Sequence, residues 1–352
     1  MLPRFIIKTH TEALRPGNYS ILIAKCTFPN KSLYPENVEK KLSEFLGKSI
    51  AKYTLLTATN KNRGFGFLLD NMIWNWRGHV INAVLKYIGK CSEDKNDYLN
   101  LTKMEKITYL KYFLETEGAL ILKLSENFVN KNEITYSYLK DNIQKIFEEI
   151  YEGYLNIAPD FRTKIKIKEM IKEMRRRMKS KECLYQPSTL AHKIKPHIQA
   201  LEDLGLLYKE VQNQEEIYKP LIKNGVSPFS VFFDKLSNFE KMEQIFSNDR
   251  YFELIAEALN LETVRYSPET HKEILIQTFT WGYRVMKDKT TGMADIDALI
   301  DWSRIKLLSE ENILIARKDI EEYLHNLRKT DPSSIRYHVD GRGRIAYLIL
   351  EL

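Results

Sequence analysis

STLAHKIKPHIQALEDLGLLYKEVQNQEEIYKPL, from Ser188 to Leu221, changes period halfway along. In its first half Leu190, Ile194, Ile198, Leu201 and Leu204 recur every three or four residues, which is one face of a helix. Gly205 follows the last of them, at the position where a left-handed residue commonly closes a helix. Beyond it Leu206–Val211, the turn QNQE and Ile217–Leu221 read as strand, turn and strand. Pro196 lacks a backbone donor and clashes with the preceding turn of a helix interior. The main helix is therefore expected to start near Lys195, with STLAHKI as a short helix ahead of it.

The order of helix then hairpin recurs on both sides. Near the carboxyl end, ARKDIEEYLHNLRKTD places Ile320, Tyr323, Leu324 and Leu327 on one face and leads into IRYHV, the turn DGRG and RIAYLILEL. Near the amino end, NRGFGFLLD, Asn62 to Asp70, begins like the nucleobase-stacking strand of an RNA-recognition motif. Its eighth position is Asp70 instead of an aromatic, and Asp70-Asn71 then MIWNW continue it as a hairpin with a two-residue turn. HIQALEDLGLLYK, residues 197–209, resembles the recognition-helix-to-wing junction of winged-helix DNA-binding proteins, which ends a helix on Leu, Gly, Leu and another apolar residue. That resemblance implies a helix in the major groove and a hairpin against the backbone. The expected fold is mainly α with β-hairpins, an α+β class of tandem winged-helix modules joined by helical spacers. The divisions are 1–92 (an amino-terminal strand and a possible module), 93–160 (spacer), 161–223 (basic module), 224–265 (spacer) and 266–352 (carboxyl-terminal module).

Between these hairpins the pattern is helical. LTKMEKITYLKYFLETEGALILKLSENFV carries a capping box at Thr102 and Glu105. NEITYSYLKDNIQKIFEEIYEGYL reads as a helix ending near Gly153, with Asn156 to Asp160 as a linker around Pro159. PFSVFFDKLSNFEKMEQIF and DRYFELIAEALNL add further helices.

Charge supplies the functional expectation. The 352-residue chain has a formal charge of +7, and its hydrophobic fraction of 43% suffices for two or three cores. Twelve Lys and Arg residues fall between Arg162 and Lys195, against Glu169, Glu173 and Glu182. Ile167, Met170, Ile171, Met174 and Met178 keep helical spacing through that segment, so the cations occupy the other face. Such a face suits nucleic-acid phosphate. Anionic lipid is a poorer match, since interfacial helices favour Trp or Phe on the apolar side.

The expected DNA contacts are Lys168, Lys172, Arg175, Arg176 and Lys179 on the basic helix and His192, Lys193, Lys195 and Gln199 on the helix before the hairpin. Arg342 and Arg344 join them at the tip of the last hairpin. Glu202 and Asp203 keep the far end of the pre-hairpin helix out of the groove.

Catalytic patterns are weak. Gly64 and Gly66 form only part of a dinucleotide-binding fingerprint, and the chain has no phosphate loop, HExxH or GxSxG. Cys26, Cys91 and Cys183 and the seven histidines lack metal-ligand spacing. Asp295, Asp297 and Asp301 in DIDALID could serve a scattered metal nuclease, but read better as a capped, solvated helix start. A short apolar amino terminus and reduced cysteines point to the cytoplasm, with no membrane partner and no cofactor. The expectation is a non-enzymatic DNA-binding protein, a regulator or a recognition subunit with duplex DNA and other protein subunits as partners. An interaction subunit built from the same modules is the alternative, ahead of an RNA-binding protein.

Overall fold

A computed structural model describes residues 101–181, 186–288, 290–341, 343 and 345–351, together with Lys40, Ser43 and Glu44. The module expected over 1–92, the hairpin around Phe65, and Arg342 and Arg344 lie outside the described residues, as does the side chain of Lys193. The described chain is predominantly helical with three small sheets, an α+β arrangement.

A first unit begins with α1 (Lys103–Lys131), whose capping box forms as expected: Glu105 N–H donates to Thr102 Oγ1, and Thr102 N–H to Glu105 Oε2. Two-residue β1 (Ile134–Thr135) leads straight into α2 (Tyr136–Asn156), because the Thr135 hydroxyl accepts from Tyr138 N–H and caps it. α3 (Phe161–Lys179) is capped by Asp160 and runs back along α2. α4 (Pro187–Asp203), β2 (Leu207–Gln212) and β3 (Glu215–Pro220) complete the unit. Its antiparallel sheet has the order β1-β3-β2, with Ile134 opposite Tyr218 and Leu207 opposite Pro220.

Two sequence readings change here. α4 is one continuous helix with Pro196 inside it, where a short helix and a second start near Lys195 were expected. α2 runs on to Asn156, past Gly153, and Ile134–Thr135 leaves the helix to become β1. Gly153 is small for packing, since a Cβ there would overlap the Phe239 ring.

The helix stop at Gly205 and the hairpin after it hold. Gly205 has φ +73°, and Leu206 N–H donates to Leu201 O (3.0 Å) while Gly205 N–H donates to Glu202 O (2.8 Å), a Schellman ending. The following turn is tighter than QNQE: Asn213 and Gln214 both take positive φ, 50° and 66°, the twist that suits a two-residue hairpin.

α5 (Pro228–Leu236), α6 (Phe239–Ser247) and α7 (Tyr251–Ala258) pack against α1. A second unit then repeats the connectivity without the counterpart of α3. β4 (Val264–Arg265) pairs in parallel with β6 (Ile313–Leu314), while α8 (Pro268–Met286), β5 (Ala294–Asp295), α9 (Ile296–Glu310), α10 (Arg317–Thr330), β7 (Ile335–Val339) and β8 (Ile345–Leu350) form the body. Again the second residue of a two-residue strand, Asp295, caps the next helix, and the sheet order β5-β8-β7 matches that of the first unit.

The core is shared between stretches the sequence suggested were separate. α1 and α2, expected as a spacer, bury Leu124, Ile143 and Phe147 in one cluster with Ile167, Ile198 and Tyr218. Trp302, Ile305 and Leu308 of α9 belong to that cluster too, while a smaller core, including Leu299, Ile320 and Leu348, fills the second unit. Polar groups also bridge the two units. Lys111 Nζ of α1 lies 2.9 Å from Asp301 Oδ2 of α9, and Tyr112 donates to the same oxygen at 3.3 Å. Arg304, 4% exposed, pairs with the Asp249 carboxylate, donates to the Asp249 carbonyl (3.0 Å) and the Ile315 carbonyl (3.2 Å), and stacks on Phe252. Among the described residues, no helix is long and apolar enough to cross a membrane.

Candidate nucleic-acid interface

The cations of α3 face solvent because its apolar stripe is used up in the core. Ile167, Ile171 and Met174 are buried and Met170 and Met178 pack at the margin, as the spacing implied. This leaves Arg162, Lys164, Lys166, Lys168, Lys172, Arg175, Arg176, Lys179 and Lys181 exposed. They are not equivalent. Arg175 is held by Glu152 (2.7 Å) and Glu148 (3.3 Å) across the α2–α3 contact. Arg176 donates twice to Glu173, at 2.8 Å each, and Arg177 once, at 2.7 Å, so that hydrogen bonds from Arg176 and then Arg177 pull the Glu173 carboxyl down to about 2. Among the described residues, Lys164, Lys166, Lys168, Lys172 and Lys179 have no carboxylate within ion-pair distance. Beside them a groove of about 550 Å³ runs between α2 and α3, with Leu155 and Ile171 in its lining and Lys168, Lys172, Arg175, Arg176 and Lys179 around them.

α4 offers less than its sequence suggested. His192 is exposed, but Lys195 is tied to Glu216 of β3 at 2.7 Å. Gln199 is only 8% exposed, so the face on which it was expected to meet base edges is covered by protein. The reason is packing on several sides: α4 contacts α2, and His197 lies fully buried against Phe113 of α1, with Glu117 3.8 Å away. Sequence periodicity registers a single apolar stripe and cannot count a helix's neighbours.

α10 is placed differently. Ile320 and Leu324 point inward, while Lys318, Glu322, His325, Asn326 and Lys329 are all exposed. At 100° per residue Lys318, Glu322, His325 and Lys329 form the line opposite the buried stripe. Arg328 sits 5.1 Å over the Tyr337 ring and joins the helix to β7. Sequence reading assigned no contact to this helix, three of whose seven charged residues are acidic, although its hydrophobic pattern marked the outward face.

The carboxylates of DIDALID do not converge. Asp295 caps α9, Asp297 pairs with Arg317, and Asp301 is buried against Lys111, not solvated as expected. Comparison with protein-family models, curated proteins and solved structures gave no match.

Proposed function

We propose that the chain is a DNA-binding protein built on two winged helices, with α3 as a cationic anchor on the phosphate backbone and α10 as the reader of base edges. The observation carrying this reading is the row of exposed lysines on α3 that, among the described residues, have no carboxylate within ion-pair distance, beside a helix-and-hairpin unit that the chain builds twice. The helix, short strand, helix, helix, hairpin order and the sheet order β1-β3-β2 support the winged-helix assignment. Lysine is a phosphate ligand that acts as a point charge, so a free row of it favours sequence-independent grip. On α10, Asn326 suits adenine, Lys329 guanine and Glu322 the cytosine amine, the mixed chemistry that discriminates bases in a major groove. Neither unit needs catalysis or a cofactor in this role, and other protein subunits would use the remaining surface.

Binding of labelled duplexes of varied sequence tests it. Asn326→Ala should lose discrimination at one or two base pairs, on the order of 1–3 kcal/mol, while leaving non-specific affinity in place. Absence of any duplex binding at low salt would contradict the proposal.

A further inference from the structure

α3 carries more than charge. Phe161, its first residue, is 78% exposed, and Ile165, one turn on, is 40% exposed. Steps of four and three residues from Phe161 through Ile165 lead to Lys168, Lys172, Arg175 and Lys179, so the two apolar side chains head the same outward line as the cations. Arg162, Lys164 and Lys166 surround the ring in sequence and are exposed. The line spans about 27 Å of helix at 1.5 Å per residue. Alongside it lies the groove with Leu155 and Ile171 among its cations.

An intact duplex offers α3 phosphates and sugars on its outside and keeps its base faces stacked within. It has no counterpart for an exposed phenyl ring or for an apolar floor between lysines. A single strand has both, since its unstacked bases present π-faces beside each phosphate. An acidic peptide would match the charge but leave the ring's stacking face without a partner.

We propose that the outer face of α3 and its groove bind single-stranded DNA, with a base stacked on Phe161, further bases against Ile165 and Leu155, and phosphates on Lys168, Lys172 and Lys179. The inference rests on the reading of α3 as a nucleic-acid surface: its lysines grip the phosphates of a duplex or a single strand alike, and the ring and groove add a site that only unpaired bases fill. Arg175 and Arg176, already engaged by Glu152 and Glu173, keep the groove's walls in place.

Fluorescence anisotropy of the full chain with a labelled thymidine 20-mer and an intact duplex decides it. Phe161→Ala should weaken oligomer binding on the order of ten-fold, as expected for one lost base stack, and change duplex affinity less than about two-fold. Phe161→Trp should retain oligomer binding. The ring is exposed, so the Tm of Phe161→Ala should match that of the parent. Equal oligomer affinity for Phe161→Ala and the parent overturns the inference, as does displacement of the oligomer by poly-glutamate at equal charge concentration. Failure of the parent to bind either DNA would instead overturn the nucleic-acid reading beneath it.

Discussion

Gly153 and Gln199 look polar or permissive in sequence, yet each is fixed by what lies against it. A Cβ on Gly153 would overlap the Phe239 ring, so Gly153→Ala should cost about 1–3 kcal/mol by overpacking. In an uncrowded helix interior the same change would be neutral or stabilising, and urea unfolding separates the two. Gln199, buried in α4, should behave as a core residue: Gln199→Ala is expected to lower stability by roughly 0.5–3 kcal/mol. DNA sequence preference should be unaffected by it. Both effects were hidden in the sequence, because neither Phe239 nor the helices around α4 are near in chain order. By contrast Gly205 was legible from local pattern alone, since a left-handed residue after an apolar helix face needs no distant partner.

Helices and hairpins follow the same division. The capping box of α1, the stripe of α3 and both described hairpins were readable, because capping, periodicity and turn chemistry act within a few residues. β1 and β5 were not, for a two-residue strand has no period and exists only by pairing with β3 or β8. The α1–α9 bridge is likewise a product of distant packing, and it titrates in a defined way. Burial disfavours charge on Asp301, but Lys111 and Arg304 outweigh it and hold the carboxyl below its ordinary range. Burial opposes Lys111 too, yet Tyr112, Asp301 and Glu115 hold its pKa well above the ordinary value. The stability from Asp301 is therefore full above ~3.9 and lost as pH falls through its lower folded value, and that from Lys111 is full below ~10.4 and lost as pH rises through its higher folded value. Asp301→Asn should cost about 3 kcal/mol at neutral pH by removing the buried one of the two carboxylates on Lys111 and leaving it only Glu115 at 3.2 Å. The gap between this variant and the parent should narrow below pH ~4. A gap unchanged at strongly acid pH would contradict the assignment.

At the scale of the whole molecule, two units of the same connectivity share a core through α9, and α3 is what the first has beyond the second. That difference divides the proposed labour. The first unit gives its pre-hairpin helix to packing and presents cations on the added helix, while the second leaves its own pre-hairpin helix open to solvent. Sequence charge marked residues 161–179 as a cationic helix face but could not tell lysines clear of carboxylates from arginines held by Glu148, Glu152 and Glu173. The most direct test is the salt dependence of duplex binding by the parent chain and by the triple change Lys168→Ala, Lys172→Ala, Lys179→Ala. The account predicts weaker binding to every sequence alike and a log–log salt slope flatter by up to ~0.9 for each phosphate contact removed. An unchanged slope and affinity in the triple variant would contradict it.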